Sequence, residues 1–163
     1  MENYIVINGK KAELTPEQLE KLGIVVKENP FERTPGERYY AIYNTGEIGI
    51  ETDVSHSSDI LRYNVANYCL NKDLMKQRAL HETLSRLLWR YSMTHDGDKI
   101  DWNDETIIKY SIYYNYDAKQ FYVHGNLYNQ LGGTIYFYSY NIAESAIEEI
   151  IEPFMKGNPD FVW

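Results

Sequence analysis

Five acidic side chains lie within the thirteen residues "MTHDGDKIDWNDE" at positions 93–105. Carboxylate oxygens are the ligands that magnesium and calcium prefer in proteins. A calcium loop of the EF-hand type also needs a glycine at its middle, whereas Gly97 comes early here and Lys99 places a positive charge inside the loop. The acids are Asp96, Asp98, Asp101, Asp104 and Glu105. Their spacing fits a specific metal site poorly.

The histidines and glycines give no better match to a catalytic motif. His95 stands beside Asp96, as in metal phosphohydrolases, but the other histidines do not follow at the positions such a centre requires. A zinc-protease helix needs a second histidine four residues after His81, and that residue is Ser85. Gly132-Gly133 lacks the lysine and hydroxyl residue of a phosphate-binding loop. We therefore expect a protein that is not an enzyme and has no cofactor or metal ion.

Two roles are open for Trp102, which lies among the acids. The ring can fold back onto the core as an apolar plug, or it can face a partner as a hot-spot residue. Asp101 can close a turn by accepting a hydrogen bond from the backbone two residues on. The stretch is interpreted first as a structural acidic turn, second as a docking surface and only third as a catalytic site.

The charge balance favours a protein partner over a nucleic acid. The chain carries 24 acidic and 16 basic residues, with a net charge of −8. Direct binding of DNA or RNA normally requires a basic surface. An acidic surface can instead be attracted to a basic, nucleic-acid-handling protein, although the same charge also serves solubility.

Aromatic residues make up 15% of the chain, and sixteen of them are tyrosines. Alternation along a strand places Tyr110, Ile112, Tyr114 and Tyr116 on one face and Lys109, Ser111, Tyr113 and Asn115 on the other. One face must be core. The other can stack an aromatic ligand, pair with a second copy in a homodimer, or be solvated. Tyr113 is therefore a candidate partner-binding residue together with Trp102 and the five acids.

The order of turns and caps predicts an α+β fold with antiparallel hairpins, one long central helix and a C-terminal helix. Asn8-Gly9 predicts a hairpin turn, and "TPEQLEKLG" a helix that Thr15 and Gln18 cap and Gly23 ends. Pro30, Pro35 and Gly36 predict a linker. The predicted organisation is an N-terminal module at 1–26, a linker at 27–37 and a main domain at 38–163.

Within the main domain we predict hairpins that turn at 44–46 and 117–119, and a strand in "GGTIYFYS". Asn71 should cap a helix over 72–94, and Ser139 should cap a last helix that Pro153 kinks or ends. "DILRYNVANYCL" at 59–70 receives no assignment. The apolar stripe of the long helix comprises Leu74, Leu80, Leu84, Leu87, Leu88 and Tyr91; that of the last helix comprises Ile142, Ala146, Ile147 and Ile150. Hairpin and helix follow each other twice, at 38–94 and 107–155, which hints at two related units.

The compartment expected from the sequence is an intracellular one. Cys69 is the single cysteine and lies in an apolar context, so a disulfide framework is excluded and a buried thiol is expected. "MENYIVING" has neither the basic nor the apolar region of a secretion signal. No apolar run approaches membrane-spanning length, and no membrane partner is expected.

Five segments resemble a family of small, tyrosine-rich accessory proteins encoded by phages and prophages of Gram-positive bacteria. The segments are "YYAIYNTGEI", "RYNVANY", "HDGDKIDWNDE", "KYSIYYNYD" and "GGTIYFYSYNIAESAIEEI", and together they span about residues 37 to 156. The resemblance implies an inhibitor of bacterial immunity of the anti-CRISPR type. Its expected partner is a host defence protein, an RNA-guided nuclease, in the cytoplasm of the infected bacterium.

Three other functions stay open at this stage. The protein could sequester a nucleotide immune signal, with rings that stack the base and Arg62 or Arg78 on its phosphate. It could be an enzyme that uses the acidic loop with a divalent metal ion. It could also be a structural or regulatory phage protein.

Overall fold

The computed structural model describes residues 4–7, 10–23 and 29–163. Within these residues the fold is α+β, as predicted, with three antiparallel sheets, a long central helix and a C-terminal helical region. The elements are β1 (Tyr4–Ile7), β2 (Lys10–Glu13), α1 (Pro16–Lys21), β3 (Arg38–Ile42), β4 (Ile48–Thr52), α2 (Ser57–Asn64), α3 (Lys72–Thr94), a 3-10 turn (Gly97–Lys99), β5 (Lys109–Asn115), β6 (Gln120–Asn126), β7 (Tyr136–Phe137), α4 (Tyr140–Ala146), a π-helical turn (Ile147–Ile151) and α5 (Glu152–Gly157). None of these described helices combines the length and the apolar character needed to cross a bilayer.

The N-terminal part contains the predicted hairpin strands and the short helix. β1 and β2 pair in antiparallel fashion, and the turn predicted at Asn8-Gly9 lies outside the described residues. Thr15 N–H donates to the Gln18 side chain at 2.8 Å, and Gln18 N–H donates to the Thr15 hydroxyl at 3.3 Å. Gly23 follows α1 with a φ of +70°, a conformation that favours glycine. The predicted capping box and helix stop are confirmed.

Residues 29–37 of the predicted linker run along the β3–β4 hairpin. Leu70 N–H donates to the carbonyl of Pro30 at 2.7 Å, and Gly36 N–H donates to the carbonyl of Asp53 at 2.7 Å. The Arg33 guanidinium forms an ion pair with the fully buried Asp53 carboxylate at 2.8 Å. This segment is thus hydrogen-bonded to the main domain. The division at 26 and 37 stays a prediction, because 24–28 lie outside the described residues.

The unassigned stretch at 59–70 contains most of helix α2. His56 is its N-cap: the imidazole accepts from Ser58 N–H, and the Asp59 carboxylate accepts from His56 N–H at 3.0 Å. This is a capping box in which histidine replaces the usual serine or threonine. A histidine is not a strong N-cap signal in a sequence, which explains why the helix was not predicted.

Helix α3 has the predicted bounds and the predicted cap. The Asn71 side chain accepts from the N–H groups of Asp73 and Leu74 at 2.9 and 3.0 Å. The predicted stripe is wrong at its N-terminal end, because Leu74 is 46% exposed and Met75 is buried instead. Met75 and Ala79 pack with Ile42 of the β3–β4 hairpin and the buried Cys69. The C-terminal half of α3 packs on the three-stranded sheet of β5, β6 and β7. This one helix therefore contacts both that sheet and the β3–β4 hairpin.

The second β unit has the strand order β6-β5-β7. The hairpin turns between β5 and β6, as predicted, and β7 pairs with β5 through Tyr110 and Phe137. One face packs on a core with Leu84, Leu88, Phe137 and Ile151 at its centre. Tyr110 and Ile112, which were predicted to share a face, both contact this core, so theirs is the buried face. Lys109, which alternation places on the opposite face, is fully buried all the same.

The C-terminal helix starts where predicted but does not end at Pro153. The Ser139 hydroxyl accepts from Ile142 N–H at 3.3 Å and caps α4. Immediately before Pro153 the chain widens into the π-helical turn at 147–151 and then continues as α5 to Gly157. Because proline has no N–H to donate, a locally wider turn keeps the helix continuous across that position. Ala146 is buried, and the three predicted isoleucines are partly buried against the core.

Candidate docking site

The acidic loop begins at the C-terminal end of α3 and is attached to the core through Gly97. Ser92 in the last turn of α3 is fully buried and donates its hydroxyl to the carbonyl of Tyr136 at 2.6 Å. Gly97 lies so close that a β-carbon there would be 2.6 Å from the Ser92 carbonyl oxygen. This close approach holds the first part of the loop against the last turn of α3.

His95 faces its own helix and is not directed into the loop. Its ring stacks on Tyr91 with centroids 4.1 Å apart, and Nδ1 lies 2.8 Å from the Tyr91 carbonyl oxygen. Within residues 4–7, 10–23 and 29–163 no three His, Cys, Asp or Glu side chains are grouped so as to hold a metal ion. The metal-enzyme alternative therefore finds no supporting cluster in the described chain.

Three of the five carboxylates are fixed by local contacts. Asp96 forms an ion pair with Lys99 at 2.9 Å, and Asp101 accepts from Asn103 N–H at 2.8 Å, which confirms its predicted turn. Asp104 accepts from the Thr106 hydroxyl at 2.6 Å and from Thr106 N–H at 2.8 Å. The hydrogen bond from the Thr106 hydroxyl is the main reason that the pKa of Asp104 lies below its usual value, and the bond from Thr106 N–H lowers this pKa further. The loop is an ordered acidic turn.

Trp102 is folded against the core as an apolar plug. The ring is half-buried and contacts Tyr136 edge-on, with centroids 4.8 Å apart. The Lys109 ammonium lies 5.5 Å from the centre of the same ring and donates a hydrogen bond to the carbonyl of Asp104. Lys109 therefore places a buried positive charge beneath the acids and stabilises the loop in this position.

A groove of about 190 Å³ opens beside the loop between α3 and β7. Its lining includes Trp89 and Met93 of α3 and Ile100 and Trp102 of the loop, together with Ile135 and Tyr136. Trp89 is 55% exposed and Met93 is 38% exposed, one helical turn apart. The sequence analysis missed Trp89 and Met93. An apolar pair at i and i+4, away from the buried stripe of the same helix, is the signal that points to them.

The structure brings together six of the seven predicted partner-binding residues. The five acids and Trp102 share the loop, whereas Tyr113 is four residues along β5 from Lys109, roughly 13 Å away. Tyr113 belongs to an aromatic group on the outer sheet face. Its ring lies 5.7 Å from that of Tyr122 and 6.4 Å from that of His124.

A second group of ionisable side chains lies between the β3–β4 hairpin and α2. The Tyr39 hydroxyl donates to Asp59 at 2.7 Å and accepts from Arg62 at 2.9 Å, and Arg62 also pairs with Glu51 at 3.1 Å. The Tyr39 ring stacks on Tyr68 at 4.2 Å. Burial raises the pKa of Tyr39 to about 12. These polar groups satisfy one another, which suits a structural network.

The arginines proposed for a nucleotide phosphate are engaged elsewhere in the chain. Arg62 belongs to the Tyr39 network, and Arg78 forms an ion pair with Glu82 at 2.9 Å and donates to the carbonyl of Ala66. Two further grooves, of about 210 and 250 Å³, contain Trp163 among their lining residues. No arginine is among the described residues that line these two grooves or the groove between α3 and β7, which we call the Trp89 groove.

We expect Tyr39→Phe to lower the free energy of unfolding by about 1.5–3 kcal/mol at neutral pH, because the hydrogen bond to ionised Asp59 is lost. Ionisation of the Tyr39 hydroxyl also makes the free energy of unfolding depend on pH in the alkaline range. Its pKa is about 12 in the folded chain against 10.0 for a free tyrosine. The stabilisation is therefore complete below pH 10.0 and is lost as the pH rises through about 12. Urea unfolding at neutral pH and through this window measures both effects.

Tyr128→Phe is the matched control, since it removes a hydroxyl from a ring that is 70% exposed. Its urea midpoint at neutral pH should equal that of the parent protein. If Tyr39→Phe unfolds at the same midpoint as the control, the network does not stabilise the fold.

Comparisons with protein-family models, curated proteins and solved structures gave no match for this chain. The resemblance to phage accessory proteins stays a prediction from the sequence segments that carry it.

Proposed function

We propose that this protein is a non-enzymatic, phage-encoded inhibitor of bacterial immunity that binds a basic, nucleic-acid-handling nuclease. The surface would be the acidic loop at 96–105 and the groove beside it. One observation carries the proposal: an exposed apolar pair, Trp89 and Met93, adjoins a turn that holds five acidic residues.

This arrangement has the composition of a protein-binding surface. Interfaces concentrate their binding energy in a few central residues, of which tryptophan is among the most frequent, with methionine also enriched. Polar and charged residues form the rim around that centre. The exposed Trp89 and Met93 would supply the apolar centre, and Asp98 and Asp101 would belong to the rim.

The charges favour a basic partner. The chain has a net charge of −8, and the turns formed by Asp101 and Asp104 hold their carboxylates in place before any partner binds. A preordered surface loses less conformational entropy on association. A groove lined with Lys and Arg for phosphate groups is the complementary surface, and an acidic protein seated there would exclude nucleic acid. The expected mechanism is therefore occlusion.

The test is binding to a panel of immobilised CRISPR effector complexes, each with and without its target DNA. We expect binding at low salt that weakens at least about tenfold between 50 and 300 mM salt, because screening reduces charge complementarity. Prebound target DNA should abolish binding. Binding that does not change with salt would exclude occlusion of a basic groove by the acidic loop. If no complex in the panel binds the protein, this class of partner is excluded.

Charge reversal locates the surface. Asp98→Lys with Glu105→Lys changes two exposed carboxylates and should weaken binding about 100-fold, or roughly 2.7 kcal/mol. The matched control is Glu148→Lys with Glu152→Lys, which makes the same change in net charge on the C-terminal helix. Trp89→Ala should weaken binding on its own, since the exposed ring is the apolar centre. An equal loss in both double variants would mean that net charge, and not this loop, determines binding.

A further inference from the structure

Strand β6 has an open edge of unusual composition. It runs from Gln120 to Asn126 at the end of the three-stranded sheet, and among the described strands it pairs only with β5. Natural edge strands are usually protected against further pairing by lysine, proline, inward charges or bulges. The seven residues "QFYVHGN" include no acid, lysine, arginine or proline. Such an edge can accept another strand.

The sequence of β6 is complementary to itself when two copies run antiparallel. A two-fold axis at Val123 places Val123 opposite its own counterpart and Tyr122 opposite His124 of the second copy. In the same register Phe121 lies opposite Gly125, and Gln120 opposite Asn126. Val123 thus meets another valine, Tyr122 another ring and Gln120 another amide. We infer that a second copy of this chain pairs with β6 and extends the sheet to six strands.

The outer face of the extended sheet supports this register. Tyr122 and His124 lie on the outer face, where Tyr113 already stacks on Tyr122, so the pairing continues an aromatic row across the new interface. On the core face each chain fills its own space, because Phe121 contacts Tyr114 and Trp163, while Ile108 and Tyr110 lie against Gly125. A second copy brings the same uncharged row to the edge, with Tyr122 opposite His124 on both sides of the two-fold axis.

The dimer and the proposed docking function differ in their response to salt. Two chains that each carry −8 repel one another, while the β6 edge itself holds no acidic residue. Screening should therefore strengthen the dimer as salt rises. Binding to a basic partner should weaken over the same range. The failure of one proposal is thus separable from the failure of the other.

Sedimentation equilibrium over a range of protein concentrations, at 50 and 300 mM salt, tests the dimer. We expect a monomer–dimer equilibrium that tightens with salt. Tyr122→Lys with His124→Lys brings lysines of the two copies opposite each other and should raise the dissociation constant at least about 30-fold. Ser111→Lys with Tyr113→Lys is the matched control, because it adds the same two charges to the same face on the central strand β5. A monomer at all concentrations, or equal weakening by the control, overturns the inference.

Cysteine cross-linking tests the register without depending on charge. Tyr122→Cys and His124→Cys are prepared as separate variants and oxidised alone and as a mixture. Opposite residues in the proposed register have β-carbons about 5 Å apart, within disulfide reach, whereas identical positions are offset to about 8 Å. Only the mixture should form a covalent dimer. The native Cys69 is buried, and the parent protein serves as its control. Equal cross-linking by either variant alone overturns this register.

Discussion

Phe137→Ala should lower the free energy of unfolding by about 3–5 kcal/mol, a large part of the stability of a domain of this size. Phe137 is only 1% exposed and lies in the core formed by α3, the three-stranded sheet and the C-terminal helices. It is also the residue through which β7 pairs with Tyr110 of β5. Truncation removes buried apolar area and leaves a cavity where these elements meet. Chemical denaturation followed by circular dichroism measures the loss.

Phe31→Ala is the matched control, since it is the same chemical change at a ring that is 50% exposed. Folding removes much less apolar area from water at Phe31 than at Phe137. Phe31→Ala should therefore lower the free energy of unfolding by only about 1 kcal/mol. Similar losses in the two variants would mean that the core is not centred on Phe137. A change in the denaturant slope would show that the sheet no longer unfolds together with the helices.

Gly97→Ala should destabilise the protein by about 1–3 kcal/mol and displace the acidic loop. The new β-carbon would be 2.6 Å from the carbonyl oxygen of Ser92 and 2.4 Å from its hydroxyl oxygen. Neither atom can move freely, because His95 N–H donates to that carbonyl and the hydroxyl donates to Tyr136. Thermal unfolding gives the stability, and Trp102 fluorescence in a Trp89→Phe, Trp163→Phe background reports the position of the loop.

Gly132→Ala is the control for the loss of a glycine. A β-carbon at Gly132 meets no atom within 4 Å, so this variant should have the stability and fluorescence of the parent. If Gly97→Ala leaves Trp102 fluorescence unchanged, the loop is not held by the close approach of Gly97 to α3. A displaced loop should also weaken partner binding, which links this prediction to the proposed docking surface.

The position of the proposed docking surface depends on contacts from three separate parts of the chain. The loop follows α3, Tyr136 of β7 supports Trp102, and Lys109 at the start of β5 lies beneath the acids. An ordered acidic turn of this kind presents charge without first having to fold. The exposed Trp89 and Met93 then give that charge an apolar centre.

Local hydrogen bonding allowed the sequence to predict where the main helices begin. Asn71, Ser139 and the pair Thr15 and Gln18 each cap a helix through bonds that span two or three residues. A short side chain at a helix start makes those bonds whatever surrounds it, so the pattern is visible in the sequence alone. The hairpin turn after β3 is determined in the same local way, by Gly46 with its φ of +89°.

Only the tertiary structure decided which side of each element is buried and which residues form the site. Leu74 fits the helical stripe but is exposed, because the β3–β4 hairpin contacts α3 at Met75 and Ala79. Lys109 is buried because the loop before it folds back over its ammonium group. The Trp89 groove exists because β7, more than forty residues further along, packs beside α3. Such burial depends on distant partners, whereas caps and turns depend on neighbours in the chain.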